Sequence, residues 1–281
     1  MKTQHPTMKK HDARDLNIKL NPTNLKPLFK VQSARHAADM VLNWAIIIGV
    51  AYFSVQYFNP LTYLVAVIII GARMHALAIL MHDAAHYRFL KNRKWNDLIT
   101  NITTMYPMFL TLSNYRQNHL KHHQHLNTDH DPDWVTKFNR KGFIFPTTKF
   151  EFFTMIMSYL VLYQGIKDAL WFMKRFNVIG ADKHKPKEGK TAQILFYIAL
   201  ICFLTFFGLW KYYLLFWVVP YFSTFLMFQY IRSVAEHFGE MERDHLLNQT
   251  RTTKSNWFEQ FLIAPHNVGF HLEHHLYPGV P

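Results

Sequence analysis

Nine histidines fall into three short clusters and one singleton, at spacings that suit metal ligation. The clusters are His82-Asp83-Ala84-Ala85-His86, His119-Leu120-Lys121-His122-His123 and His271-Leu272-Glu273-His274-His275, and the singleton is His237. On a helix, residues three and four apart share a face. His82 and His86 are four apart, and the other two clusters each follow an i, i+3, i+4 pattern. Each cluster can therefore aim two or three imidazoles at one point. Neutral imidazole suits iron, zinc, copper and nickel. Nine such ligands exceed what one ion accepts, and two ions of four or five ligands each would use them. The chain holds 18 histidines, so one HxxxH pair alone would carry little weight. Two HxxHH clusters together with an HDxxH are hard to obtain by chance.

The elements that must position these clusters are long and apolar. A spanning helix needs roughly 20 mostly apolar residues. No charged residue occurs from Met40 to Ala72, and Asn59-Pro60 is a turn signal within that run. The pattern predicts spans at about 39–58 and 61–81. Arg73 and His75 then lie inside the second span, where an ionisable group needs a partner or, near an end, snorkels to the interface. His75 is about 10 Å deeper than His82 at 1.5 Å per residue, so it is read as structural. A second hairpin runs from Ala192 to Ile231, with spans at about 192–209 and 212–231, Lys211 at the turn and Pro220 as a kink. Leu98–Tyr115 and Phe152–Ile166 are read as interfacial or re-entrant. If either crossed, the histidine clusters would be stranded on opposite sides of the bilayer.

Charge gives the orientation. The net charge is +13, and 28 of the 31 Lys and Arg residues fall in segments 1–37, 88–149, 174–190 and 232–281, the others being Arg73, Lys167 and Lys211. An excess of Lys and Arg marks cytoplasmic loops, so both termini and the metal site are expected in the cytoplasm. Residues 1–37 read as a basic cytoplasmic segment without an apolar h-region, so no removable signal peptide is expected. Residues 38–281 read as the membrane domain. Gly180–Lys190 is the most linker-like stretch. The single Cys202 leaves no disulfide framework and no thiolate metal site. No nucleic-acid motif accompanies the basic charge, so nucleic acid is not an expected partner. The fold class is all-α and integral to the membrane, with four transmembrane helices in two hairpins.

HDAAH, HLKHH and HLEHH, in this order, resemble the three histidine boxes of the membrane fatty acid desaturase superfamily. Their context matches: Tyr115-Arg116-Gln117-Asn118 leads into the second box, and Asn127-Thr128 through Asp131-Pro132-Asp133-Trp134 follows it. Asn267-Val268-Gly269-Phe270 precedes the third box, and Leu276-Tyr277-Pro278 follows it. The resemblance covers about residues 40–281. It implies a four-span bundle with interfacial helices and a cytoplasmic helical cap carrying a di-iron centre. By the same resemblance, iron ligation goes to His82, His86, His119, His122, His123, His271, His274 and His275, with His237 as a further ligand after the fourth span. The chain stops at Pro281, where relatives usually continue, which leaves the completeness of the cap open.

The chemistry implied is oxidation. An acyl chain offers only unactivated C–H bonds, so a redox cofactor must supply the hard step. Two iron ions with O2 as co-substrate would serve. Loss of two hydrogens from adjacent carbons gives a double bond and water, whereas return of oxygen to carbon gives an alcohol. The expected activity is therefore an O2-dependent fatty acyl (lipid) desaturase. A carotenoid ketolase or hydroxylase, or another lipid hydroxylase on the same scaffold, is the alternative. A membrane metal transporter or sensor is more remote, because it would need ligands within the spans. No heme motif is attached, so a separate ferredoxin or cytochrome b5 is the expected electron donor. The short chain leans bacterial, which would place it in the inner membrane.

Ligating histidines usually donate their other N–H to a carboxylate or carbonyl. Asp83, Glu236 and Glu273 adjoin ligands and are candidates, with ordinary surface charge as the alternative. Asn267 holds a water at the iron or, the preferred reading, caps the helix of the third box. Trp44, Tyr52, Phe53, Trp217, Tyr221, Phe222 and Phe225 are candidates to line an acyl tunnel, with lipid-facing or packing roles preferred for any one of them.

Overall fold

The computed structural model describes residues 22–179, 190–239 and 246–281. Residues 1–21 of the expected N-terminal segment and 180–189 of the expected linker lie outside the described residues. Among the described residues every regular element is helical.

The first two long helices are α1 (Ser33–Gln56) and α2 (Pro60–Ala85). The chain reverses between them at the Asn59-Pro60 signal. The Asn59 side chain accepts from the Leu61 and Thr62 N–H groups, and the Thr62 hydroxyl accepts from the Asn59 N–H, which makes a capping box. Pro60 fits the first helical turn because its missing N–H is not needed there. From Ile70 to His82 every residue of α2 is buried. That burial accounts for a helix that is apolar all round.

After α2 come α3 (Arg93–Thr100), α4 (Leu112–His125), α5 (Pro132–Lys137), α6 (Lys149–Leu160) and α7 (Tyr163–Ile179). Then follow α8 (Lys190–Phe206), α9 (Trp210–His237), α10 (Trp257–Leu262) and α11 (His271–Leu276). Three helices, α1, α2 and α9, are long and apolar enough to cross a membrane, and Thr191–Phe206 within α8 is a shorter apolar helix. The reversal between α8 and α9 lies before Lys211, which sits in the first turn of α9. Gly208 takes φ +64° there. A residue without Cβ adopts that conformation cheaply, so glycine rather than the charge sets the turn.

Close approach fixes α9 on α2. A Cβ on Gly71 would lie 2.0 Å from Thr224 Oγ1. That hydroxyl donates to the Val67 carbonyl at 2.7 Å. Small residues and interhelical hydrogen bonds of this kind hold helices together in lipid, where no hydrophobic force separates helix from solvent.

The predicted re-entrant segment runs through α3 into a π-helical turn at Asn101–Met105, reverses, and returns as α4. A reversal of this kind leaves carbonyls without helical partners, which must find donors elsewhere. Four aromatic side chains supply them. Trp44 Nε1 donates to Thr103 O at 3.0 Å, Tyr197 OH to Tyr106 O at 3.0 Å, Trp217 Nε1 to Pro107 O at 2.9 Å and Tyr221 OH to Met108 O at 3.2 Å. Trp44, Trp217 and Tyr221 thus hold a turn, one of the packing roles open to them in the sequence. Tyr52 and Phe53 are exposed on α1. Two π-helical turns in α9, Leu214–Val218 and Tyr221–Phe225, flank Pro220. Proline removes a helix donor, and π turns absorb the resulting irregularity.

Phe152–Ile166 is likewise broken, at Val161 and Leu162, where Leu162 takes φ +67°. Beyond the break, Tyr159, Gln164 and Arg140 all donate to the Asp168 carboxylate. Arg73 and His75 find partners at the C-terminal end of α10 and on α1. Arg73 donates to the Phe261 carbonyl and, at 3.3 Å, to Asn43 Oδ1, and His75 Nε2 donates to the Ile263 carbonyl at 2.9 Å. Both carbonyls lie at the C-terminal end of α10, where basic side chains satisfy orphan acceptors.

Candidate metal centre

The C-terminal ends of α2 and α9 meet α4 and α11 at one place. There the nine histidines form two groups: His82, His86, His119, His123 and His274 in one, and His122, His237, His271 and His275 in the other. Within each group the ring nitrogens all lie within 4.8 Å of one another. Consecutive α4 and α11 residues divide between the groups, His122 from His123 and His274 from His275. Each of these helices therefore serves both positions. The groups abut, with the His123 and His275 rings 4.3 Å apart.

The helix carrying the second box is held by its own sequence. Arg116 binds Asp97 with both terminal nitrogens, at 2.8 and 2.6 Å, and its Nε donates to the Ala85 carbonyl at 2.8 Å. One guanidinium thus ties α4 to α3 and to the end of α2, next to His86. Bidentate Arg–carboxylate pairs fix orientation as well as distance. Asn96 adds a bond to the Ala84 carbonyl at 2.9 Å. Tyr115 stacks on His119 with centroids 5.3 Å apart.

The donor set fits metal ions. In the first group His119 Nε2 faces His86 Nε2 and His123 Nε2, each at 2.9 Å, and His274 Nε2 faces His123 Nε2 at 3.1 Å. In the second, His271 Nε2 faces His237 Nε2 at 2.7 Å and His275 Nε2 at 3.1 Å. Metal–imidazole bonds of about 2.1 Å at right angles put neighbouring nitrogens about 3.0 Å apart. His82 Nε2 is buried without a hydrogen-bond partner. A buried polar atom left unpaired is costly, and a metal ion would satisfy it.

Protonation points the same way. Burial pushes His86 down to about 3 and His123 to about 2 from the ordinary 6.5, and neighbouring imidazoles add to the shift. His119, His271, His274 and His275 are also held well below the ordinary value, burial being the largest cause in each. These rings are neutral at neutral pH, the form that ligates metal.

The carboxylates separate. His122 Nδ1 donates to Asp131 Oδ2 at 2.9 Å. Asp131 is fully buried and also accepts from the Asn127, Asp133 and Trp134 N–H groups. Glu236 accepts from Arg232 Nε at 2.7 Å, and its other oxygen lies 3.5 Å from His271 Nε2. Asp83 stands 3.5 Å from His82 Nδ1. Glu273 faces away from the rings and accepts from the Thr252 hydroxyl at 2.7 Å. It is two residues from His271, and i, i+2 positions do not share a helix face. Asn267 does not cap α11. The N-cap position is Phe270, without a side-chain bond, and Asn267 sits at φ +60° in the preceding turn. His75 lies outside both groups. Asp131 was missed as a partner of a ligand; its only signal was Asp-Pro, a helix-start pair nine residues beyond His122.

Comparison with known proteins follows this geometry. A family model described as fatty acid desaturase matches residues 58–281. The dihydrorhizobitoxine desaturase of Bradyrhizobium elkanii is 30% identical over 229 residues, 78% of this chain and 64% of that protein, so the chain spans under two thirds of that relative's length. An sn-1 oleoyl-lipid 12-desaturase of Anabaena variabilis is 23% identical over 89% of this chain and 74% of its own length. An sn-1 acyl-lipid omega-3 desaturase (ferredoxin) of Nostoc sp. (strain 36) is 22% identical over 84% and 69%.

Proposed function

The chain belongs to the fatty acid desaturase family, and from that premise we propose that it is an O2-dependent membrane desaturase acting on an acyl lipid. The observation that carries this reading is the convergence of nine imidazoles into two abutting groups at one end of the long apolar helices. In this reading His82, His86, His119, His123 and His274 hold one iron ion, and His122, His237, His271 and His275 hold the other. Iron so bound supplies the O2-dependent oxidation of C–H bonds that no side chain can perform alone.

The protein's own groups orient and exclude. Asp131 fixes the ring of His122 by accepting its Nδ1 proton, which leaves Nε2 for the ligand position. Arg232 holds Glu236 beside His271. Burial of five of the nine rings keeps bulk water from the nitrogens. The reading extends to four spans in two hairpins, with α8 as the third span, and to a helical cap around the histidines. The basic loops support a cytoplasmic site, and the reading includes a bacterial inner membrane and a separate electron donor of ferredoxin or cytochrome b5 type.

The name of the Bradyrhizobium relative favours a second reading, a substrate of the dihydrorhizobitoxine kind in place of a membrane lipid. Expression in a host of known lipid composition tests both. Under the first reading, fatty acid profiling finds a species two hydrogens lighter than a host acyl chain. That species is absent with His122→Ala. Oxygen gain in a lipid or pigment would instead identify a hydroxylase or ketolase, and unchanged lipids would reject the acyl substrate. Product formation by His122→Ala at the parental rate would remove the iron assignment.

A further inference from the structure

We propose that the two metal positions are unequal: the four-histidine position retains its ion, the five-histidine position exchanges it, and Asp131 and Glu236 are positioning residues for the retained one. This rests on the reading that both groups hold iron.

Ligand count alone would favour the five-histidine group. Two other observations oppose it. The first is access. In the five-histidine group His86, His123 and His274 are only half-buried, whereas in the four-histidine group only His275 is. An incoming chelator or water reaches the first group along three rings and the second along one. The second observation is charge. His122 Nδ1 bonds the fully buried Asp131 at 2.9 Å, while the nearest comparable pair in the other group, His82 Nδ1 and Asp83, stands at 3.5 Å. Only the shorter separation is a hydrogen bond of ordinary length. A carboxylate behind a ligating imidazole raises its basicity, and losing such a partner typically weakens metal binding by roughly 10–100-fold.

Glu236 adds a second anion on the same side. Its Oε2 lies 3.5 Å from His271 Nε2, the nitrogen that also faces His237 Nε2 at 2.7 Å. The carboxylate is buried and its other oxygen is held by Arg232. It therefore borders the point where the second group's nitrogens converge. Beside the first group, by contrast, the Asp83 carboxylate is partly exposed.

The test follows metal leaving the full chain. Protein purified in lipid nanodiscs is loaded anaerobically with ferrous iron, and release to a ferrous chelator is timed. Two phases of equal amplitude are expected, one ion per chain in each, with rates at least about tenfold apart. His86→Ala should remove the fast phase and spare the slow one. Asp131→Asn and Glu236→Gln should each accelerate the slow phase alone, Asp131→Asn by roughly 10–100-fold. Mössbauer spectra should show two iron sites, with Asp131→Asn moving only one. Asp131 also caps α5, so Glu236→Gln decides if Asp131→Asn does not fold. A single release phase, or variants that accelerate both phases equally, overturns the inequality and leaves the iron reading intact. Failure to bind two ions per chain overturns the iron reading itself.

Discussion

Two long helices, α2 and α9, deliver histidines to the same centre, and they are built differently. α2 is an unbroken α-helix from Pro60 to Ala85, opened by a capping box and closed by His86. α9 covers Trp210–His237 with two π-helical turns around Pro220. The regular helix is packed on all sides along its upper half, so its own side chains decide its geometry. The irregular one also serves a neighbour. Trp217 and Tyr221, in its two π turns, donate to the re-entrant turn at Pro107 and Met108. α2 also donates to backbone that is not its own, through Arg73 and His75, and stays regular, so the π turns of α9 follow Pro220. Metal delivery by itself demands no such departure.

The largest way to break the contrast is at the shared end. His122→Ala or His271→Ala should abolish product formation and leave fewer than two ions per chain by metal analysis. Next comes the crossing between the helices. Gly71→Leu should cost several kcal/mol or prevent folding, because its Cβ already meets Thr224 and the Phe225 backbone at 2.0 and 2.7 Å. Detergent-resistant yield and thermal melting would read this. A milder effect is expected at the re-entrant turn. Trp217→Phe leaves the Pro107 carbonyl unpaired and should cost about 1–3 kcal/mol. A loss no larger than that of an exposed control, Phe53→Leu, would show that the turn does not depend on the Trp217 bond.

A further test is in pH. Six histidines outside the spans have folded values below 6.5, so between 6.5 and about 3 the unfolded chain binds protons that the folded chain does not. Stability of the metal-free protein should therefore hold above about 6.5 and fall as pH drops below it. Melting curves that stay flat from pH 7 to pH 4 would contradict this burial of neutral rings.

Much of the site was legible because helix period is local. Two clusters at i, i+3 and i+4 and one pair at i, i+4 announce their faces in a few residues. The Asn59-Pro60 reversal was equally local. What escaped depends on the chain folding back. Asp131 reaches His122 only because the turn at Asn127, with φ +57°, returns the loop beneath α4. Arg116 sits in a recognisable run, yet its partners, Asp97 and the end of α2, lie 19 to 32 residues away. Glu273 misled because adjacency to a ligand in sequence is a different direction on a helix. The aromatic donors carry no local signal, since any tryptophan in an apolar helix reads the same whether it faces lipid, a tunnel or a bare carbonyl.

That re-entrant turn also sets an order of events during biosynthesis. Its carbonyls at Pro107 and Met108 wait for Trp217 and Tyr221, 110 and 113 residues further along the chain. At about 5–20 residues per second, a ribosome needs roughly 5–20 s to make that stretch. Until then those carbonyls lack their side-chain donors. The turn, and the second histidine cluster on the helix that follows it, can settle only once Trp217 and Tyr221 have been made, so the histidine site closes late in synthesis.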